Sequence, residues 1–202
     1  MKARQLHNDL QSVHVATIDR PGNDLGTADV ILKDVTYIAS YSWTNAHNPV
    51  IVVPGSPPLW INKPVPFSLA PDKGMSFMDQ NSSRMPSYPL LPLFRAVDTM
   101  QNNVSPISDW KTLDIITDRN NLRKLLSWAY PHAQIKSRTK FRIDIQLAGQ
   151  RTLLLQRWEE RSKVKSDGFG YGHTFEQATT VPGPTCTHRG LTGYHRIISY
   201  VG

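Results

Sequence analysis

The most regular alternation of apolar and polar residues lies between residues 140 and 158. Ala148-Gly149-Gln150 provides a turn, and residues 152–158 return with a second apolar-rich run. Alternation at period two is typical of a strand whose two faces meet different surroundings, so this region predicts a β-hairpin. The apolar members of its first strand are Phe141, Ile143, Ile145 and Leu147.

The same alternation, extended towards the N-terminus, places four cations at period two on one face of the first strand. Charge runs commonly form a solvated outer face, and this is one interpretation. The other is contact with phosphates, in which each cation neutralises one backbone charge of a nucleic acid. The four cations are Lys136, Arg138, Lys140 and Arg142.

Two segments show helical spacing. After Thr117 or Asp118, either of which can cap a helix, apolar residues recur at i, i+3, i+4 and i+7 until Tyr130-Pro131 ends the pattern. A second helix is predicted over residues 90–100, with prolines near its start, where proline is tolerated. The apolar positions of the first helix are Leu122, Leu125, Leu126 and Ala129.

Eleven of the fifteen prolines lie before residue 100. Proline removes a backbone donor, so residues 44–92 should consist mostly of extended connections with short strands. Residues 35–41, 50–53 and 194–201 are predicted strands. We interpret Pro54 to Trp60 as a stiff connection that anchors Trp60 in the core; the alternative is a polyproline ligand for a partner domain. These elements indicate an α/β (α+β) protein with a mixed, largely antiparallel sheet.

A length of 202 residues suits one domain, with a proline- and loop-rich part at 1–108 and a basic helix–hairpin–strand part at 109–202. The net charge of +7 arises in the second half. Residues 1–100 carry eight Lys and Arg against eight Asp, whereas residues 101–202 carry fifteen Lys and Arg against eight Asp and Glu. A one-sided basic surplus favours a polyanionic partner.

Cys186 is the only cysteine of the sequence, which excludes an intrachain disulfide and favours an intracellular location, nucleus or cytoplasm. No apolar run approaches the ~20 residues that a membrane helix requires, so no membrane association is expected. Cys186, His188 and His195 match no zinc-ligand spacing well. We therefore expect Cys186 to be neither metal-bound nor catalytic.

Residues 168–176, with the sequence GFGYGHTFE, combine three glycines and several rings with Glu176, one of only three glutamates in the sequence. A carboxylate after a glycine run can approach a phosphate or a metal ion closely. The alternative is a glycine-rich turn that enters a short helix, with Glu176 solvated. The sequence contains no dinucleotide fingerprint, no Walker loop and no His-Glu-x-x-His motif.

Several motifs follow one another in the second half: the helix start at residues 117–126, the hairpin, Gly172-His173-Thr174-Phe175-Glu176 and a final strand. Over residues 110–200 this order resembles the DXO-type RNA decapping exoribonucleases, including a fungal group sometimes labelled prenyl-diphosphate synthase. The resemblance implies metal-dependent hydrolysis at the RNA 5′ end. It implies Glu176 as catalytic residue and Mg²⁺ or Mn²⁺ ligand, and Arg119 as a contact to the RNA 5′ end.

The chain departs from that family at several positions. Asn120 stands where the family has glycine, and His173-Thr174 replace Tyr-Lys. The family's Glu-x-Asp and Glu-x-Lys strands, which supply most of the metal-binding carboxylates, do not follow before Gly202. Two-metal hydrolysis needs several carboxylates, so we expect a truncated, inactive or weak nuclease that still binds RNA. A second chain or protein partner would have to complete the site.

RNA binding and the docking of a protein partner require different surfaces. RNA binding predicts cations together with exposed aromatic rings. The alternative function, a non-catalytic interaction protein that docks an acidic partner, predicts a large apolar patch with a polar rim. The family resemblance adds a geometric expectation, namely that Arg119 lies within a few ångströms of Glu176.

Overall fold

The computed structural model describes residues 5–21, 31–101, 110–129, 140–183 and 190–201. Within these ranges helices and strands are mixed and most strand pairs are antiparallel, so the α+β fold class is confirmed. The strands are β1 Lys33–Thr44, β2 Ile51–Val52, β3 Leu59–Trp60, β4 Met75–Phe77, β5 Ile115–Thr117, β6 Ile143–Ala148, β7 Thr152–Arg157, β8 Lys163–Lys165, β9 Thr180–Val181 and β10 Leu191–Val201. The helices are α1 Gln80–Arg84, α2 Leu91–Gln101, α3 Arg119–Ala129 and α4 Gly172–Thr179, with a 3₁₀ helix at Trp110–Thr112.

The chain divides into two compact units, each assembled from segments distant in sequence. Unit 1 comprises Met1–Lys33, Asp109–Arg161 and Val201–Gly202, and unit 2 comprises Asp34–Ser108 and Ser162–Tyr200. The organisation as a single domain stays a prediction. No helix in the described ranges is long and apolar enough to cross a membrane.

Unit 1 is built on a three-stranded sheet in the order β5-β7-β6. The predicted hairpin is confirmed: β6 and β7 pair antiparallel, with Ile145 opposite Leu155, and β5 pairs with the other edge of β7 in parallel. β7 is therefore the central strand, and Leu155 and Thr152 on it are buried.

α3 begins where the sequence predicts. The Asp118 carboxylate accepts a hydrogen bond from the Asn121 backbone N–H at 2.9 Å, which satisfies one of the free donors of the first turn. Asn121 is fully buried, and its side-chain amide donates to the Leu155 carbonyl of β7 at 3.0 Å. Leu126, an expected core position, is exposed, because the helix turns its Asn121 side towards the sheet.

One expectation for the hairpin is wrong. β6 starts at Ile143, so Lys140 and Arg142 precede the strand and do not share a strand face. The apolar residues Ile145 and Leu147 are exposed. Leu147 pairs with Leu153, which in turn pairs with Ile115, so these three exposed side chains form a row across one face of the sheet.

Unit 2 is organised around β1, the central strand of a sheet in the order β10-β1-β2. The predicted strands at 35–41, 50–53 and 194–201 are confirmed as parts of β1, β2 and β10. Residues 38–44 of β1 are buried without interruption, which means that both faces of the strand are covered.

The segment after β2 continues along β1 through hydrogen bonds. The backbone N–H of Gly55 donates to the Ser40 carbonyl at 3.1 Å, and that of Ser56 donates to the Ser42 hydroxyl at 3.1 Å. A Cβ on Gly55 would come within 2.5 Å of the Tyr41 carbonyl carbon. Glycine is thus required here because two backbones touch.

The helix α1 supplies hydrogen bonds to the aromatic residues of β1. The Asn81 side-chain oxygen accepts from the Trp43 indole N–H at 2.8 Å and from the Tyr41 hydroxyl at 3.0 Å. Arg84 donates to the Thr44 and Ala46 carbonyls, each at 2.7 Å. Polar groups next to a buried strand are thereby paired.

The expectation that Trp60 lies in the core is wrong. Trp60 ends β3, which pairs antiparallel with β9, so Trp60 lies opposite Thr180. Its side chain is exposed, since a pair of two-residue strands offers too little surface to cover an indole. The predicted helix over residues 90–100 is confirmed as α2, whose Ala96 and Val97 are buried.

Candidate functional site

Residues 168–176 form a glycine-rich turn that enters α4 at Gly172. The N-terminus of this helix is capped by a carboxylate from a distant part of the chain. Asp72, which is buried, accepts hydrogen bonds from the backbone N–H groups of Thr174 at 2.8 Å and His173 at 3.2 Å. The Thr174 hydroxyl donates to the same carboxylate at 2.9 Å.

The cap of Asp72 on α4 accounts for the composition of the turn. A Cβ on Gly170 would come within 3.1 Å of the Asp72 carboxylate, so glycine allows the close approach. The Thr174 backbone hydrogen bond, the Thr174 hydroxyl and the His173 amide together lower the pKa of Asp72 despite the opposing effect of burial. The ionised Asp72 carboxylate lies at the N-terminus of α4, where the helix dipole favours a negative charge.

Glu176 lies on α4 and is exposed. Within the described ranges, no three His, Cys, Asp or Glu side chains are close enough together to hold a metal ion. The described residues therefore do not fit Mg²⁺ or Mn²⁺ at Glu176, which would need further oxygen ligands. Its assignment as a catalytic residue stays a prediction.

Arg119 is the first residue of α3 and is exposed. It belongs to unit 1, whereas Glu176 belongs to unit 2. The expected short distance between the two stays a prediction. Arg119 forms no ion pair with any residue in the described ranges.

The four cations of the predicted basic face differ in their surroundings where the structure describes them. Lys136 and Arg138 lie outside the described residues. Lys140 is exposed and has no ion pair in the part of the chain that the structure describes. Arg142 is engaged within unit 1: its guanidinium donates to Asp144 at 2.5 Å and to the Asn8 carbonyl at 2.7 Å.

A second charged cluster in unit 1 has no counterpart in the sequence analysis. Glu159 accepts hydrogen bonds from Lys124 at 2.8 Å and from Arg157 at 2.6 Å, next to the buried Trp158. Burial raises the pKa of Glu159, but the two cations outweigh it and hold that pKa below its ordinary value.

Of the three residues considered as zinc ligands, the structure describes His195. Cys186 and His188 lie outside the described residues. His195 lies on β10, and its ring stacks on Tyr41 with centroids 4.6 Å apart and planes at 7°. Burial lowers the pKa of His195, while Asp79 opposes this effect, so the ring is neutral at physiological pH.

Unit 2 also contains an open cleft of about 410 Å³ between the β2 segment and α2. Its walls are Val50, Ile51, Val52 and Val53, with Thr44, Thr99 and Arg95 beside them. Arg95 is the single ionisable side chain among these lining residues, so the cleft has no acid–base pair for catalysis.

Comparison with known proteins identifies the family to which the chain belongs. No curated protein and no solved structure matches the chain. A family model described as "Domain of unknown function (DUF8563)" matches residues 14–202. The match spans nearly the whole sequence, and the chain therefore belongs to this family.

Proposed function

We propose that the protein binds RNA through basic side chains of unit 1. The observation that carries the proposal is the charge of the segment at 109–161, which contains eleven Lys and Arg against six Asp and Glu. Cations that neutralise phosphates supply most of the affinity of a protein for a nucleic acid backbone.

The side chains available for this role are exposed and lack ion pairs within the described part of unit 1. Arg142, Arg157 and Lys124 are already paired with Asp144 or Glu159, so they contribute less. The available cations are Arg119, Arg123, Lys140 and Arg161.

Kinship with DXO-type decapping nucleases belongs to the same proposal. It rests on the motif order, with Arg119 as contact to the RNA 5′ end and Glu176 as inherited site residue. Since the described residues do not fit a metal ion at Glu176, we expect background rates on capped and 5′-monophosphate RNA in Mn²⁺. Equal rates for wild type and Glu176→Gln would agree with this expectation, and turnover abolished by Glu176→Gln would contradict it.

Binding to labelled single-stranded RNA at increasing salt tests the proposal. Affinity should fall steeply with salt, and Arg119→Gln, Arg123→Gln and Lys140→Gln should each reduce the slope of log affinity against log salt by about 1. Arg95→Gln is the matched control, because Arg95 is exposed in unit 2 and also lacks an ion pair in the described ranges. An affinity that does not respond to salt would overturn the proposal.

Docking of an acidic protein partner is the second candidate function. The exposed row of Ile115, Leu153 and Leu147 favours it, because an apolar surface of this kind suits protein contacts. Polyglutamate with the same number of charges as the RNA separates the two functions. Equal affinity for both polyanions would favour the acidic partner, and preference for RNA would favour the first proposal.

A further inference from the structure

We propose that the aromatic cluster of unit 2, formed by Trp60, Phe67 and Phe175 with Lys63 beside them, is a stacking platform for the unpaired bases of single-stranded RNA. This inference rests on the proposed function and names a second, chemically different contribution to it. The basic side chains of unit 1 would bind phosphates, whereas the aromatic cluster would bind bases.

The three rings of the cluster lie close together. The Trp60 and Phe175 centroids are 5.7 Å apart with planes tilted by 46°, and the Phe67 and Phe175 centroids are 6.4 Å apart with planes at 22°. Offset and tilted pairs at these distances are favourable for aromatic side chains. The cluster thus holds its rings in place by their mutual contacts.

The backbone fixes the position of the cluster. Trp60 lies in β3 opposite Thr180 of β9, and the backbone N–H of Ile61 donates to the Thr179 carbonyl at 2.8 Å. Phe175 lies on α4, which leads directly into β9, so the strand pair carries Trp60 and joins it to the helix that carries Phe175. A ring platform on a hydrogen-bonded frame loses little conformational entropy when a base stacks on it.

Two rings of the cluster are exposed to solvent. Trp60 is 61% exposed and Phe175 39% exposed. Because the Phe175 ring meets the indole at 46° and does not lie flat on it, Trp60 keeps most of its surface in contact with solvent. An open indole face next to further rings is what a nucleobase stacks on, without preference for sequence.

Charge favours RNA over a protein as the occupant of the cluster. Lys63 Nζ lies 4.9 Å from the Phe67 ring centroid, and it makes no ion pair with any residue in the described ranges. A cation beside a stacking ring matches the phosphate that accompanies each base. The hydrophobic centres of protein interfaces are instead depleted of lysine.

The experiment compares a short labelled oligoadenylate with an abasic sugar–phosphate chain of the same length and with a duplex. Trp60→Ala and Phe175→Leu should each weaken oligoadenylate binding, by about tenfold for Trp60→Ala, and leave the salt slope unchanged. Neither variant should affect the abasic chain or the duplex, which offer no unpaired base. Trp60→Phe keeps a ring and should retain most of the affinity.

Tyr88→Ala is the matched control, because Tyr88 is also an exposed aromatic residue of unit 2 but contacts no ring in the described part of the chain. If wild type binds RNA with a steep salt dependence and Trp60→Ala changes nothing, the platform is refuted while the proposed function stands. If wild type binds no RNA, the proposed function fails first. Equal affinity for oligoadenylate and the abasic chain would also refute the platform.

Discussion

The central strands of the two sheets, β1 in unit 2 and β7 in unit 1, are protected in different ways. β1 is buried over residues 38–44, and its hydrogen bonds to Asn81, Gly55 and Ser56 are neutral, with Arg84 donating to the Thr44 carbonyl at its end. β7 is flanked by strands that expose apolar side chains, and its end is held by the ion pairs of Glu159. We therefore expect the stability of unit 2 to depend most on the packing of buried side chains. The stability of unit 1 should depend more on its hydrogen bonds and ion pairs.

The largest effect should come from Trp43→Ala in β1. Trp43 is 1% exposed and donates its indole N–H to Asn81. Removal of a buried Trp side chain leaves a cavity and costs about 3–5 kcal/mol of unfolding free energy. Trp60→Ala is the matched control and should cost no more than about 1 kcal/mol, because that side chain is exposed. Urea denaturation measures both, and equal losses would contradict the contrast between a buried and an exposed indole.

An intermediate effect is expected from Asn121→Ala in unit 1. The Asn121 amide donates to the Leu155 carbonyl and to the Thr117 hydroxyl, which links α3 to β7 and β5. The substitution removes both hydrogen bonds of a fully buried side chain, which should cost about 1–3 kcal/mol of unfolding free energy. The neighbouring Asn120→Ala should change the urea midpoint much less. An effect of Asn120→Ala as large as that of Asn121→Ala would show that α3 is not held through this amide.

The smallest effect is expected from Glu159→Gln, which removes the charge between Lys124 and Arg157. The loss of unfolding free energy should be about 1 kcal/mol or less and should shrink at high salt, because ions screen such pairs. Since the pKa of Glu159 is lowered, its contribution is present above the ordinary value of 4.5 and is lost as pH falls below it. Glu160→Gln, at an exposed neighbour, should lack this pH and salt dependence; if both variants behave alike, the ion pairs of Glu159 do not stabilise unit 1.

The elements predicted correctly from the sequence are those whose formation depends on residues close together in the chain. The helical spacing after Asp118 and the alternation on either side of Gly149 depend on residues within one turn or one strand, and both elements formed as predicted. Local periodicity contains the physical cause of such elements.

Burial and hydrogen-bond partners depend on segments far away in the sequence, and the sequence alone did not indicate them. Arg142, whose contact with phosphate stays a prediction, donates to the carbonyl of Asn8, 134 positions earlier. The cap of α4 comes from Asp72, which precedes Thr174 by 102 positions. Trp60 was assigned to the core because tryptophans are usually covered, yet its short strand pair offers no second layer. The residues that flank Arg142 and Thr174 in the sequence do not indicate Asn8 or Asp72 as their partners.

The position of β1 between β2 and β10 also has a consequence during synthesis. The β2 side of β1 is paired after a short stretch of chain, but the β10 side must wait, since Thr192 and Trp43 are 149 positions apart. A ribosome adds about 5–20 residues per second, so the nascent strand stays open on one edge for roughly 7 to 30 seconds. During that interval its apolar and aromatic residues are available to chaperones and to neighbouring nascent chains. Slower translation of the segment between β2 and β10 should therefore lower the yield of folded protein.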